Sequence, residues 1–252
     1  HTLGLILTYY INFGKSSRET AALMREVHGI GISHQTVINY AEAVAKNVKP
    51  YVDNYKHDLS GSICGDETYI KVLGKWHYVF FIFDSVKKII LSYPVSPNRD
   101  TVSAIKALDE ALSKFKEIPD DLTMIFDGNP IYILAQHYFA QHGIHFDIKQ
   151  VIGLTNDDPI SEEYRPLKQV IERLNRTFKG GYRPTNGFNT YSGATSFLTL
   201  FVAYFNFLRP HSTLEGKVPV ILQELKDLPN MPARWQMLIK LSQDYIKTQQ
   251  IA

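Results

Sequence analysis

The order of strand-like and helix-like segments between residues 62 and 208 most narrowly limits the folds open to this chain. Three strand patterns come first, helical and strand patterns then alternate, and a long apolar helix ends the series. β-Branched and aromatic residues dominate the strands, whereas apolar residues three and four positions apart mark the helices. Three strands in a meander followed by alternating helices and strands predict an α/β fold whose mixed sheet is covered by helices.

Hydrophobic periodicity and turn residues give the bounds of the individual elements. The predicted strands are residues 62–72, 76–83, 88–95, 122–126 and 146–151. The predicted helices in the same region are residues 101–115, 131–142, 162–179 and 192–208. Gly74-Lys75 joins the first two strands in a predicted hairpin. We therefore expect a five-stranded mixed sheet flanked by helices, in a domain at 59–212 followed by a helical tail at 213–252.

The first 58 residues form a separate helical region. Ser16 followed by Glu19 is the pattern of a capping box at the start of one helix, and Ser33 can cap a second helix that ends before Pro50. Gly29 lies in the break between the two helices. Two short helices joined by a glycine-bearing turn are typical of a helix-turn-helix unit that binds DNA, although a plain helical hairpin has the same pattern.

Composition excludes several classes of protein. The 252 residues have a net charge of +2 and 44% hydrophobic content, which is ordinary for a globular chain. The single cysteine, Cys64, excludes an internal disulfide and a CxxC zinc site, and its apolar neighbours predict a buried, inert thiol. No run of about 18 apolar residues occurs, so no membrane span is expected. The chain begins at His1 with helix-like apolar sequence, and we expect that a segment upstream is missing.

Three acidic residues stand where a site for two divalent cations would need them. Asp66 interrupts an apolar strand, Asp127 follows another, and Glu172 lies on the helix predicted at 162–179. A charge on a central strand is costly unless it is paired or bound to metal, and catalytic groups of open α/β sheets collect at strand ends. Two cations shared by such carboxylates can activate a water or a 3′ hydroxyl for attack on a phosphodiester.

Each of these acids also has a purely structural interpretation. Asp66 could face solvent at a strand edge, and Asp127 begins the turn-forming sequence Asp-Gly-Asn-Pro. Glu172 lies among cations three and four positions away, which is the pattern of a solvated helix face with ion pairs. The same cations would bind phosphates on either side of a catalytic carboxylate. The basic residues predicted to contact DNA are Lys168 and Arg176, four positions from Glu172, together with Arg173, Lys179 and, beyond the helix, Arg183.

Four segments, in this order, resemble the motifs of bacterial insertion-sequence DDE transposases. They are Gly-Asp-Glu-Thr-Tyr-Ile-Lys-Val-Leu-Gly-Lys-Trp-His-Tyr at 65–78, Phe-Asp-Gly-Asn at 126–129, Val-Ile-Glu-Arg-Leu-Asn-Arg-Thr-Phe-Lys at 170–179, and Tyr-Phe-Asn-Phe-Leu-Arg-Pro-His at 204–211. The resemblance covers about residues 15–222. It implies an RNase H-like (integrase-like) catalytic fold in which Asp66, Asp127 and Glu172 are the metal-binding triad.

The interval between the second and third carboxylates departs from this family. It measures 45 positions here, which is longer than is common, and Glu162 or Glu163 would satisfy a shorter interval. Glu172 is preferred because its flanking Arg-x-x-Arg-x-x-Lys and a downstream Gly-Phe match only in that register. The additional residues are then expected in a loop near 156–161. Relatives also often begin with a cysteine-bearing zinc ribbon, which this chain lacks.

The resemblance implies a divalent-metal-dependent DDE transposase that cleaves DNA at element ends and transfers the freed 3′ end into target DNA. The implied cofactor is Mg²⁺ or Mn²⁺, with two ions per active site. The implied partners are the terminal inverted repeats and the target DNA, bound by a homodimer or larger assembly in the prokaryotic cytosol, associated with the nucleoid. Two alternatives stay open: an RNase H-like nuclease that cuts but does not join, and an inactive or domesticated relative that only binds DNA.

The helix-turn-helix then has a role in recognising element ends. Its second helix would present its first turns to the major groove, with Ser33, His34, Gln35 and Asn39 as the candidate contacts. Glutamine and asparagine side chains are suited to the edge of adenine. We therefore expect this region to bind terminal repeats in preference to random DNA.

Overall fold

The computed structural model describes residues 1–152 and 159–251, except for the side chains of Ser161 and Ile251. The helices in this part of the chain are α1 (Thr2–Leu7), α2 (Ser17–His28), α3 (His34–Asn54), α4 (Thr101–Leu112), α5 (Pro130–Gln141), α6 (Pro159–Tyr182), α7 (Tyr191–Ala203) and α8 (Met231–Ile251). The strands are β1 (Ser62–Val72), β2 (Lys75–Asp84), β3 (Ile89–Ser92), β4 (Val95–Ser96), β5 (Thr123–Phe126) and β6 (Asp147–Gln150). Single π-helical turns at Thr8–Asn12 and Tyr204–Leu208 continue α1 and α7.

The strands form one mixed sheet in the order β3-β2-β1-β5-β6, with β4 also paired to β2. The pairs β1–β5 and β5–β6 are parallel, and β2 is antiparallel to both β3 and β4. Strands β1 and β5 are in register at Cys64 and Ile125. The α/β fold with a mixed sheet flanked by helices, predicted from the order of elements, is confirmed.

The strand predicted at 88–95 is two strands instead of one. β3 ends at Ser92 and β4 begins at Val95, and Pro94 lies in the gap between them. Proline has no N–H to donate to a ladder, and here only its carbonyl takes part, by accepting a hydrogen bond of 3.1 Å from the Phe80 N–H. This break adds a short sixth strand to the five that were expected.

Both predicted helix starts in the N-terminal region are confirmed. The Ser16 hydroxyl accepts from the Glu19 N–H at 3.2 Å, and the Glu19 carboxylate accepts from the Ser16 N–H at 2.9 Å, which completes the capping box. The Ser33 hydroxyl accepts from the Thr36 N–H at 3.0 Å at the start of α3. Side chains therefore satisfy N–H groups that have no partner inside either helix.

The end predicted for the second of these helices is wrong, because α3 passes through Pro50 and ends at Asn54. Proline removes one helical hydrogen bond and usually ends a helix. In α3, Val48 and Val52 lie four residues apart on one face, and both are buried. Burial of this apolar face outweighs the missing hydrogen bond, since most helical stability in proteins comes from tertiary packing.

Two compact units divide the described chain. Of the described residues, the first contains His1–Tyr55, Lys71–Lys75 and 178–251, and in it α3 packs against α7 and α8. The second contains Lys56–Ile70 and Trp76–Thr177, and therefore most of the sheet, α4, α5 and the greater part of α6. The domain limits at 58 and 212 remain a prediction.

Three further sequence predictions concern single features. The Cys64 side chain is fully buried, and burial raises the pKa of its thiol to about 12, so the prediction of a buried thiol is confirmed. Residues 156–158, the first half of the loop predicted near 156–161, lie outside the described residues, and the prediction of a loop is wrong for the second half, because α6 begins at Pro159. Among the helices described, none combines the length and apolar character that crossing a lipid bilayer would require.

Candidate active site

The register of the two parallel strands brings Asp66 and Asp127 together. Ser62, Ile63 and Cys64 of β1 pair with Thr123, Met124 and Ile125 of β5. If that register continues by two residues, Asp66 falls beside Asp127, which directly follows β5. Two carboxylates that are distant in sequence therefore meet where β5 ends, the edge at which open α/β sheets commonly place their sites.

A third carboxylate, that of Glu67, completes a cluster that was not anticipated from the sequence. Within residues 1–152 and 159–251, Asp66, Glu67 and Asp127 each offer a carboxylate oxygen within 4.8 Å of the other two. Successive side chains of a regular strand point to opposite faces, so strand alternation by itself gives no reason for Glu67 to join Asp66. The acidic pair in Asp-Glu-Thr was the signal available in the sequence for this second acid.

Helix α6 supplies two of the partners of Asp66. The Lys168 ammonium lies 3.3 Å from Asp66 Oδ1, and the Asn175 side-chain amide donates to Asp66 Oδ2 at 3.1 Å. The Asp66 side chain is 18% exposed and that of Lys168 is 12% exposed, so the ion pair is largely shielded from water. Lys168, which was predicted to contact DNA, therefore lies against a catalytic candidate in this structure.

Arg99 and Tyr132 hold the other two carboxylates. Arg99 Nη2 lies 2.9 Å from Glu67 Oε2 and 3.1 Å from Asp127 Oδ2. The Tyr132 hydroxyl donates to Glu67 Oε1 at 2.9 Å, and its ring stacks on Phe126 with ring centres 3.8 Å apart. Burial, together with the neighbouring Glu67 carboxylate, raises the pKa of Tyr132 well above its usual value, so Tyr132 stays a neutral donor.

The site is negatively charged and partly buried, and its electrostatics favour a bound cation. Burial raises the pKa of Asp66; Lys168 opposes this shift, and the carboxylates of Glu67 and Asp127 add to it. A carboxylate with a raised pKa marks a place where negative charge is poorly solvated. Carboxylate oxygens are the ligands that Mg²⁺ prefers, so the donor atoms of this cluster fit a hard divalent cation.

Glu172 lies on the side of α6 that meets Asp66 but outside the 4.8 Å cluster. It is four residues after Lys168 and three before Asn175, the spacing that places side chains on one helix face. Its side chain is exposed, and the described residues provide it with no hydrogen bond or ion pair. The alternative was a solvated helix face on which Glu172 pairs with Lys168 and Arg176. Among the described residues neither pair forms, and Lys168 pairs with Asp66 instead, while the exposure of Glu172 agrees with a solvated face.

The remaining residues predicted to bind DNA are accessible. Arg173, Arg176 and Arg183 are exposed, and Lys179 is half-buried. Burial and then the nearby Arg183 charge lower the pKa of Lys179.

The four helix-turn-helix candidates, Ser33, His34, Gln35 and Asn39, are also exposed. Gln35 Nε2 donates to Asn39 Oδ1 at 2.9 Å, so the two side chains lie together on the surface of α3. Adjacent amide side chains on the first turns of a helix have the chemistry that reads adenine in a major groove.

The site thus combines two acids from the middle of β1, one acid directly after the parallel strand β5, and a lysine and an asparagine from α6, which places the chain among α/β proteins with an acidic cluster on a mixed sheet. Comparison with known families is more specific. A family model for the DDE domain of insertion-sequence transposases (DDE_Tnp_IS240) matches residues 61–207, which is more than half of the chain. The chain belongs to this family of insertion-sequence DDE transposases.

Individual relatives are more distant. The chain is 28% identical over 116 residues to the transposase for insertion sequence-like element IS431mec of Staphylococcus aureus strains Mu50 and N315, a match that spans 42% of this chain and 47% of each relative. The chain therefore spans about half the length of the curated relatives that it matches.

Solved structures that align with the backbone of this chain include the HTLV-2 integrase catalytic core domain in complex with magnesium. That comparison has 14% identity and a TM-score of 0.41, over 65% of this chain and 97% of the other. The Mos1 strand transfer complex aligns with 11% identity and a TM-score of 0.35, over 96% of this chain and 75% of the other.

Proposed function

We propose that this chain catalyses metal-dependent DNA cleavage at the ends of an insertion sequence and transfer of the freed 3′ end into target DNA. The observation that carries the proposal is the meeting of Asp66 and Asp127 on adjacent strands, with the face of α6 that bears Glu172 packed against Asp66. The DDE family supplies the reaction class, and these residues supply the acidic site that it needs.

Asp66, Asp127 and Glu172 are the residues that would hold the divalent cations, Mg²⁺ or Mn²⁺, with two per site. For Asp66 and Asp127 the fit rests on their clustered oxygen donors, against which Lys168 and Arg99 already lie as cations. Glu172 lies outside this cluster, and its part in the site is proposed from the family motif around it. A bound pair of cations would supply an activated nucleophile and neutralise charge on the leaving oxygen.

The protein's own side chains orient this site. Asn175 and Lys168 fix the two oxygens of Asp66, and the Gln150 amide donates to the backbone carbonyls of Asp127 and Asn129 at 3.1 and 3.2 Å. Such supporting hydrogen bonds hold reacting groups in position.

The exposed Arg173 and Arg176 follow Glu172 by one and four residues in α6 and can bind phosphates on the DNA backbone. The site would thus position a phosphodiester between the carboxylates and the arginines.

A joining assay tests this function. The protein is incubated with a pre-cut DNA end taken from the element that flanks its gene, together with a supercoiled plasmid, in Mg²⁺ or Mn²⁺. We expect the donor end to become covalently joined to the plasmid, and excess EDTA to abolish joining, because the carboxylates alone cannot activate the nucleophile. Cleavage without joining would instead identify a nuclease, and DNA binding with neither reaction would identify a DNA-binding relative.

The exposed Gln35–Asn39 pair supports a second role, the recognition of terminal repeats by the helix-turn-helix. Replacing both residues with alanine should weaken binding to a terminal repeat by on the order of tenfold or more, because each good amide contact to adenine contributes about 1–3 kcal/mol of discrimination. Binding to random DNA should change little. Gel-shift titrations on both DNAs measure the ratio, with the exposed Gln141→Ala of α5 as the control. Equal loss on both DNAs would show that the pair does not read sequence.

The proposed partners are the terminal inverted repeats and the target DNA. A homodimer or larger assembly is proposed because two element ends must be processed together. The proposed compartment is the prokaryotic cytosol, where the nucleoid lies. These proposals rest on membership of the family. They are proposals and not findings because the chain spans about half the length of its curated relatives.

A further inference from the structure

Arg99 bridges two of the three clustered carboxylates with a single nitrogen. Nη2 contacts both Glu67 Oε2 and Asp127 Oδ2, at 2.9 and 3.1 Å. The residue after Arg99, Asp100, caps α4 by accepting from the Ser103 N–H at 2.9 Å, so Arg99 directly precedes an anchored helix start. The guanidinium thus occupies space beside an acid that is proposed to bind metal.

The two contacts of Arg99 differ in how readily they can be exchanged. The Glu67 side chain is 3% exposed, and its other oxygen accepts from the Tyr132 hydroxyl. If Arg99 moved away, the Glu67 carboxylate would be buried without a counter-charge, which is costly. The Asp127 side chain is 31% exposed, and water or a cation can replace Arg99 there. The contact with Glu67 is therefore the durable one, and the contact with Asp127 is the exchangeable one.

We propose that Glu67 and Arg99 form a positioning pair that sets the affinity of the site for divalent cations. Glu67 and Asp127 share the Arg99 guanidinium, which at Asp127 is a counter-cation that an incoming metal must displace. Arg99 then stays on Glu67, so Glu67 acts through Arg99 and is not a metal ligand. The inference rests on the proposed cation site and assigns roles that the catalytic triad does not include.

Mn²⁺ titration of the DNA-free protein, followed by the electron paramagnetic resonance signal of free Mn²⁺, tests this pair without any measurement of activity. Arg99→Gln should bind Mn²⁺ roughly tenfold more tightly than the wild type, because a competing positive charge is removed from a low-dielectric site. Arg99→Lys, which keeps the charge, should lie between the two. Arg99→Gln leaves the buried Glu67 carboxylate without its counter-charge, so thermal melts check that each variant is folded, and Arg99→Lys keeps a charge beside Glu67.

A double-mutant cycle separates the two possible roles of Glu67. If Glu67 acts through Arg99, Glu67→Gln weakens Mn²⁺ binding roughly tenfold in the wild-type background, because the Arg99 guanidinium then pairs with Asp127 alone and competes with the metal more strongly. Beside Arg99→Gln the same substitution weakens binding much less, because the residue through which Glu67 acts is gone. Equal weakening in both backgrounds would make Glu67 a ligand and overturn the inference. Unchanged or weaker binding by Arg99→Gln would also overturn it.

The cycle also distinguishes failure of the inference from failure of the proposed function. A wild-type protein that binds no Mn²⁺ would remove the proposed cation site and, with it, the role of the pair. Wild-type binding that depends on Asp66 and Asp127 but is indifferent to Arg99 would leave the proposed function standing and overturn the pair alone.

Discussion

Replacing Glu172 with glutamine is expected to lower DNA joining by at least on the order of a hundredfold while leaving DNA binding intact. The substitution removes one negative charge but keeps the size of the side chain, and loss of a ligand charge weakens both the retention of a cation and its effect on the reacting oxygen. Glu172 is exposed and has no partner among the described residues, so the substitution should not disturb folding. The joining assay gives the rate, and fluorescence anisotropy with a labelled DNA end gives the affinity.

Glu162→Gln is the matched control for this experiment. Glu162 is exposed on the first turns of α6 and would satisfy the shorter interval from Asp127. We expect this variant to join DNA at nearly the wild-type rate, because Glu162 lies six residues before Lys168, the first residue of α6 to contact Asp66. Retained activity in Glu172→Gln together with loss in Glu162→Gln would move the third carboxylate to the start of the helix.

Gly65→Ala is expected to destabilise the protein by roughly 1–3 kcal/mol or more, the range typical of overpacked cores. A Cβ atom at this position would lie 2.2 Å from Cε1 of Phe126 and 2.9 Å from Cδ1 of Ile82. Phe126 also stacks on Tyr132, which donates to Glu67, so its displacement would reach the site as well. A domain of this size loses roughly 2–4 °C in Tm for each kcal/mol. Thermal unfolding by circular dichroism measures the change.

Gly180→Ala controls for the general effect of adding a methyl group. Gly180 lies in α6, and an added Cβ would meet no atom within 4 Å. Alanine in a helix is more stable than glycine by roughly 0.5–1 kcal/mol, so this variant should keep or slightly raise the Tm. If Gly65→Ala has the same Tm as the wild type, the close packing of Phe126 against β1 is not a feature of the protein in solution.

The local sequence pattern predicts the secondary structure correctly wherever tertiary packing favours the same structure. The capping serines Ser16 and Ser33 and the turn at Gly74 depend on neighbours within a few residues, and such features can be predicted from sequence. Two errors arose where distant packing determines the outcome. Pro50 is tolerated because α3 buries valines on both sides of it, and Pro94 divides a strand whose two halves both pair with β2.

The candidate site could be predicted only in part, for a similar reason. Asp66 and Asp127 interrupt or follow apolar runs, and the motifs around them resemble a family, so both could be identified without coordinates. Glu67 could not, because strand alternation gives no reason for it to join Asp66, and only the three-dimensional positions of Arg99 and Tyr132 account for its inclusion in the cluster. The ion pair of Lys168 with Asp66 likewise joins residues 102 positions apart, counted from 66 to 168, which helix periodicity does not reveal.

Lys168, Glu172 and Asn175 are carried by one uninterrupted helix, and this has a consequence for how the site can fail. Each residue of an α-helix advances by about 100° around its axis, with 3.6 residues per turn. A slip of α6 by a single residue would therefore turn the lysine, the glutamate and the asparagine away from Asp66 together. Any shift of α6 therefore moves all three side chains at once. The helix contributes either all of them to the site or none of them.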